Sequence, residues 1–331
     1  MVISKTPLRC SFFGGGTDFK DYYENSKYGY GSVISTALAM YVYITVNKNF
    51  DGKIRLCYAG NELVEHVDEV RHNIIREALK MTGIQGGIEI FYSADIPLSG
   101  AGIGLASSSA LAVGVLNALH AYKGEYATAA QLAEEACRIE IQRLGQQIGV
   151  QDQYAVACGG LKRYRFYADG SVCASPVICT RSVQTQLEQN LMLFFTGITR
   201  DSRQILKEQT QSIGDKMQML DCLTQTVDRC YGYLADGTVD AWGRELDQAW
   251  QVKKQLAGGI SNPCIDGMYE KAKQAGAAGG KILGAGGGGF LLLYVQKEQQ
   301  AAVRSALEGY REVPFQFEPE GSRIIFADES K

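Results

Sequence analysis

The sequence predicts a mixed α and β protein in two domains, and three observations carry that expectation. The chain has 331 residues, more than one hydrophobic core usually organises, so two domains, or one large one, are expected. Strand-like and helix-like runs are interleaved: a strand over 87–92, a loop rich in glycine and serine, then an apolar helix over 111–122. A polar stretch, Thr180 to Glu188, separates apolar runs and divides the chain into 1–184 and 185–331.

Residues 1–48 are expected to be β structure interrupted by a loop. Leu38 to Val46 is rich in aromatic and β-branched residues and predicts a strand. The loop is Pro7 to Phe19, with Gly14, Gly15 and Gly16 before Thr17 and Asp18. Glycines bring backbone close to a ligand, and Asp18 can accept bonds from hydroxyls; the alternative is a turn with Asp18 as its capping residue. Residues 53–92 predict further strands around one helix near 68–82 that ends at Gly83.

The chain is organised around Pro97 to Ala110. Gly100, Gly102 and Gly104 alternate with other residues and lead through Ala106 into Ser107, Ser108 and Ser109. A glycine loop that opens a helix offers unpaired N–H groups and the positive end of the helix dipole, which is an anion site. The serines add hydroxyls for a phosphate or Mg²⁺. The known phosphate loops do not fit. No lysine lies between Lys80 and Lys123, as a Walker loop requires, and the third glycine of a dinucleotide fingerprint is missing. The alternative is a flexible turn capped by serine.

Tyr126 to Gly145 predicts another helix. On a helical wheel Leu132, Ala136, Cys137, Ile139 and Leu144 share one face, and Glu140 lies inside that stripe. A carboxylate there is costly unless paired or bound to metal; the alternatives are a pair with Arg143 or a stripe edge that reaches water. Twelve residues later Asp152 sits in a segment closed by Gly159 and Gly160, where it can simply cap a short helix. Residues 162–167 and 172–177 predict a hairpin, and Leu191 to Phe195 a strand. After that strand Arg200 and Ser202 can meet a phosphate, or be surface residues at a helix start. Helices are expected over 201–256, with Trp242 and Trp250, eight residues apart, in the core. A second glycine run, Gly284 to Gly289 with Gly286 and Gly287, precedes a strand at 291–295; it can be a mobile hairpin loop. A helix at 297–309 and a strand at 322–327 complete the prediction.

Composition excludes several classes. A net charge of −3 without basic runs argues against nucleic acid. No apolar stretch approaches the ~20 residues of a membrane span. Nine scattered cysteines without C-x-x-C pairs, and no export signal at the N-terminus, favour reduced thiols and a cytoplasmic protein. His66, His72 and His120 lack metal-ligand spacing; a Ser/His/Asp hydrolase stays open, although the sequence has no G-x-S-x-G elbow.

The stretch Gly104-Leu105-Ala106-Ser107-Ser108-Ser109-Ala110 resembles the phosphate-binding motif of the GHMP kinases, P-x-x-x-G-L-x-S-S-A, with a third serine where many members have alanine. Residues 7–19 resemble the first motif of that family, P-G-R-V-N-L-I-G-E-H-T-D in galactokinases, with Arg9, Thr17 and Asp18 on its Arg, Thr and Asp. Gly15 and Gly16 replace the Glu-His pair that touches sugar hydroxyls there, which puts galactose in doubt. The G-G-G-T-D form is closer to D-glycero-D-manno-heptose 7-phosphate kinases and to the kinase part of fucokinases. Residues 281–290 resemble the third motif.

The resemblance implies an α+β, two-domain GHMP kinase fold: an N-terminal half like domain 2 of ribosomal protein S5 and a ferredoxin-like C-terminal half. It implies ATP and Mg²⁺, and a sugar or sugar phosphate as acceptor. Gly100, Gly102, Gly104, Ala106, Ser107, Ser108, Ser109, Gly286 and Gly287 would bind the ATP phosphates. Ser108 and Glu140 would hold Mg²⁺, Asp152 would meet the acceptor hydroxyl, and Arg9 would stand beside it. Gly15, Gly16, Thr17, Asp18 and Arg200 would bind the substrate. Two other classes stay open: a kinase-derived sensor without turnover, and a kinase of a non-sugar acceptor.

Overall fold

The structure is a computed structural model and describes residues 1–96, 102–199 and 203–328. In the N-terminal half the elements are β1 (Val2–Phe13), α1 (Lys20–Tyr23), β2 (Tyr30–Lys48), β3 (Ile54–Cys57), β4 (Asn61–Val64), α2 (Asn73–Thr82), β5 (Ile88–Ala94), α3 (Ser107–Tyr122), α4 (Ala129–Cys137), α5 (Gln151–Cys158), β6 (Leu161–Tyr167) and β7 (Val172–Pro176). Then come α6 (Arg181–Gln189), β8 (Leu191–Phe195), α7 (Arg203–Gln211), α8 (Met217–Ala235), α9 (Ala241–Lys253), α10 (Pro263–Gln274), β9 (Gly279–Ile282), β10 (Phe290–Tyr294), α11 (Gln300–Ala306), β11 (Arg311–Glu312), β12 (Phe317–Glu318) and β13 (Arg323–Ala327).

The long strand β2 organises the first sheet. Along its C-terminal part Val42, Ile44 and Val46 are buried while Tyr41, Tyr43 and Thr45 are half-buried, the period of two expected of a strand with one covered face. Its N-terminal part pairs with β6 and its C-terminal part with β5, while β1 runs antiparallel along it. Helix α3 covers this sheet. Its residues Ser109 to His120 are all buried, so it has no broad polar face and lies at the centre of the half. Gly114 allows that approach: a Cβ there would stand 2.9 Å from the Thr6 hydroxyl.

The second sheet has the order β11-β8-β10-β9, all antiparallel. Numbered along the chain this is 4-1-3-2, the split βαβ arrangement of a ferredoxin-like unit, as expected. Its central strands are apolar throughout and buried. The chain then returns to the first sheet, where β12 pairs with β2 and β13 with β1. Trp242 of α9 lies edge-on to Phe12 and Phe13, with ring centroids 5.1 and 5.0 Å away, and so anchors the C-terminal helices on the end of β1.

Several local expectations are corrected. Pro7 to Phe13 belongs to β1 rather than to a loop; Pro7 lacks an N–H, and the register shifts just after it. Helix α3 begins at Ser107, not at Leu111, so the three serines form its first turn. The polar stretch that divides the chain is itself a helix over 181–189, with the Thr180 side chain capping Val183 N–H. The helix expected over 126–145 is α4 followed by a π-helical turn, Arg138–Arg143. His120 is buried between the carboxylates of Glu125 and Glu135, and all nine cysteines are free.

Candidate active site

The first turn of α3 faces a cavity between the two halves. Ala106, at its N-cap, has φ 61° and ψ 35°, the one non-glycine residue in the left-handed region among the described residues. Such strain at a helix entry is held by its surroundings and points to function. The N–H groups of Ser107, Ser108 and Ser109 have no carbonyl within the helix to accept them. The Ser107 hydroxyl is buried with no partner and lines the cavity. An orphaned buried donor at a helix N-terminus suits a phosphate oxygen.

Behind this turn stands Glu140, fully buried on the π-helical turn. It accepts hydrogen bonds from the Ser108 hydroxyl, from Ser109 Oγ at 2.8 Å and from Gln153 Nε2 at 2.7 Å. Burial raises its pKa, against these three bonds, which favour the charged form. The suggested Glu140–Arg143 pair does not form: Arg143 reaches Glu77 instead. π turns of this kind occur often at functional sites.

Asp152 lies in the first turn of α5, where Val150 occupies the N-cap without a side-chain bond, so it does not cap the helix. Its carboxylate receives Arg9 Nε at 2.8 Å and Nη2 at 2.7 Å, while Arg9 Nη1 donates to Gly104 O at 2.6 Å. One guanidinium thus fixes the carboxylate with two parallel bonds and ties it to the phosphate loop. Arg9 is 2% exposed, whereas the Asp152 side chain is 26% exposed and open to the cavity.

Asp18 sits deeper. Its Oδ1 accepts from Gly16 N at 3.0 Å and its Oδ2 from Gln151 N at 3.4 Å. Burial raises its pKa, and the Asp152 charge adds to that. Gly149 must be glycine here, since a Cβ would fall 1.9 Å from Asp18 Oδ2. Gly15 and Gly16 line the cavity, but Thr17 does not: its hydroxyl donates to Ser32 O and accepts from Ser32 N, a structural clip for the loop.

The second glycine run packs backbone to backbone on the first. A Cβ on Gly104 would meet Leu283 O at 2.4 Å, and one on Gly284 would meet the Gly104 Cα at 2.6 Å. Gly286 lines the cavity with Gly102 and Gly104, whereas Gly287 N–H is turned away to Ile260 O. Gly100 and Arg200 lie outside the described residues. Sequence reasoning passed over Lys253, Gln151 and Gln209, which also line the cavity. Lys253 had a signal: Trp242, Leu246, Ala249 and Trp250 form one stripe of α9 and Lys253 falls inside it, as Glu140 does in its own helix.

Among the described residues no three His, Cys, Asp or Glu side chains cluster to hold a metal on their own. Glu140 with the Ser108 hydroxyl is a hard oxygen pair beside the helix N-terminus where the Ser107 hydroxyl is orphaned. That suits Mg²⁺, which binds through one or two carboxylates plus substrate phosphates.

The comparisons with known proteins fit this geometry. A family profile described as GHMP kinases N terminal domain matches residues 63–160, and one described as GHMP kinases C terminal matches residues 231–311, together more than half of the chain. The chain is 29% identical to a D-glycero-alpha-D-manno-heptose 7-phosphate kinase of Campylobacter jejuni, over 97% of each chain. A crystal structure of a putative sugar kinase from Campylobacter jejuni is 26% identical, with TM-score 0.78, over 98% of this chain and 97% of that one. A heptose 1-phosphate kinase structure from Bacteroides thetaiotaomicron shares the fold, with TM-score 0.80 at 24% identity over 99% of this chain and 100% of that one. With matches in both halves, around the same glycine loops and their ferredoxin-like partner, the chain belongs to the GHMP kinase family.

Proposed function

We propose that this GHMP-family sugar kinase transfers the γ-phosphoryl group of MgATP to the anomeric hydroxyl of D-glycero-D-manno-heptose 7-phosphate, giving the 1,7-bisphosphate. The observation that carries the reading is the end-to-end match to a heptose 7-phosphate kinase. The paired Arg9 and Asp152 beside the phosphate loop support it. GHMP kinases take ATP as phosphate donor. The N–H groups at the start of α3 and the Ser107 hydroxyl hold its phosphates. Ser108 and Glu140 would hold Mg²⁺, which would supply positive charge to offset that of the phosphate oxygens.

The acceptor oxygen attacks the γ-phosphorus, the bond to the bridging oxygen of ADP breaks, and the acceptor proton passes toward Asp152. In such transfers the protein contributes chiefly position and charge. Arg9 holds the Asp152 carboxylate in place and offsets charge that develops on the transferring group. Asp18 accepts bonds from sugar hydroxyls, and Gly15 and Gly16 leave room for the sugar. Arg200 is proposed for the remote phosphate.

An ADP-release assay with a panel of acceptors tests this reading. Heptose 7-phosphate should turn over, with free heptose, heptose 1-phosphate, fucose and galactose far slower. Equal rates on the unphosphorylated heptose would remove the 7-phosphate from the proposal, and no turnover on any sugar would favour a non-catalytic sensor.

Mg²⁺ titration gives a second test. Glu140→Gln should raise the Mg²⁺ concentration for half-maximal rate by about tenfold or more, the loss of a charged ligand interaction of ~1.5–3 kcal/mol. The melting temperature should hold, since a glutamine still meets Ser109 and Gln153. An unchanged titration would make Glu140 a structural anchor of α3 instead.

A further inference from the structure

The cavity has a wall that the three motifs do not supply. Lys253 is the last residue of α9, 6% exposed, and its Nζ donates to Gly284 O at 2.7 Å, its one hydrogen-bond partner among the described residues. No carboxylate among the described residues lies within ion-pair distance of it. A buried ammonium with two free donors is costly unless something else accepts them. Nothing in the packing of α9 requires a charge there, since the rest of its stripe is apolar.

The ammonium stands over the Gly15 backbone. Nζ stands 3.5 Å from the place a Cβ on Gly15 would take, and Gln151 Nε2 3.9 Å from it. Beside it Gln209 of α7, 4% exposed, brings Nε2 within 2.6 Å of the place a Cβ on Gly16 would take. Gln209 thus packs directly on Gly16, where no side chain would fit, and Lys253 stands over the uncrowded face of Gly15, so donor side chains from the C-terminal half border both glycines.

We propose that Lys253 and Gln209 bind the acceptor, donating hydrogen bonds to oxygens of the sugar from the wall opposite the first motif. This rests on the sugar-kinase reading of the cavity. It adds contacts from α7 and α9 to the one proposed for Arg200, so acceptor binding holds α7 and α9 against the loop of residues 14–18.

The charges around the ammonium fit that role. Arg9 of β1 faces it as a cation and Asp18 and Asp152 of α5 as anions; Lys281 of β9, also close by, has its own pKa held well down by burial. Burial first, and Arg9 next, bring the pKa of Lys253 down to about 8, against the two carboxylates. The group is then mainly charged at neutral pH and loses its proton just above it.

The test is steady-state kinetics of the full chain with MgATP and the preferred acceptor of the panel. Lys253→Met should raise the acceptor KM by about tenfold or more, as for a lost charge-assisted bond, while the ATP KM stays within about twofold. Gln209→Ala should raise the acceptor KM by a smaller factor. Lys253→Arg should restore part of the loss. It should also remove the fall of kcat/KM for the acceptor that is expected of the wild type above about pH 8. Lys253→Gln, with its melting temperature, replaces Lys253→Met if that variant does not fold. An acceptor KM that does not move in an active, folded variant overturns the proposal and leaves the kinase reading intact. A rise in the ATP KM alone, or a fall in kcat alone, overturns it by assigning Lys253 to the phosphates. A wild type that phosphorylates no sugar overturns the kinase reading and this proposal with it.

Discussion

Asp152→Asn is expected to lower kcat by a factor on the order of 10²–10⁴, the range for a positioned acid–base group, with the KM for ATP nearly unchanged. The carboxylate of α5 opens to the cavity while its two oxygens are held by Arg9. Asparagine removes the proton acceptor and adds a second fault. Its amide nitrogen would face a guanidinium N–H, donor against donor, so one of the two parallel bonds is lost and the side chain turns. ATP binding should survive, because the proposed phosphate site is the start of α3 rather than Asp152. Asp152→Ala separates the two effects: it removes the acceptor without the donor clash. A kcat near wild type in both variants would take Asp152 out of the mechanism.

Arg9→Met is expected to cost about 10²–10³ in kcat, comparable to removing one preorganised donor from a site of developing charge. Arg9 is almost wholly buried and its three bonds join Asp152 to Gly104 O, so its loss frees the carboxylate and loosens the phosphate loop together. Arg9→Lys should recover only part of the rate, since an ammonium cannot make two parallel bonds to a carboxylate and a third to the carbonyl. The double variant Arg9→Met/Asp152→Asn should be little slower than the worse single one, because residues that act as a unit are not additive. Fully additive losses would show that the two act separately.

Much of this site was legible from local sequence because its parts are local devices. The phosphate loop is glycines followed by a helix start, and Ala106 at φ 61° shows the strained entry that such a loop needs. Glu140 stood out as a carboxylate in an apolar stripe, and the structure shows what keeps it there: two serines and Gln153. Its partners were not legible, since the π turn changes the phase of the helix after residue 137 and sends Arg143 to Glu77. Thr17 belongs to the matched motif yet bonds Ser32, a contact between a loop and a strand that no spacing within the motif announces. The return of β12 and β13 to the first sheet is a pairing across nearly the whole chain, and the short strand near residue 323 carried no sign of its partner. Gln209 and Gln151 are polar residues on short helices with no periodic signal. Lys253 was readable by the stripe test.

The central claim is a phosphoryl transfer to the anomeric oxygen of a sugar that already carries a phosphate. The most direct measurement is ³¹P NMR of the product formed by the wild-type enzyme from MgATP and D-glycero-D-manno-heptose 7-phosphate. The account predicts ADP and one new phosphate ester whose phosphorus couples to the anomeric proton, with the 7-phosphate resonance retained. A new ester coupled to any other sugar proton, or ADP with inorganic phosphate and no new ester, would contradict it.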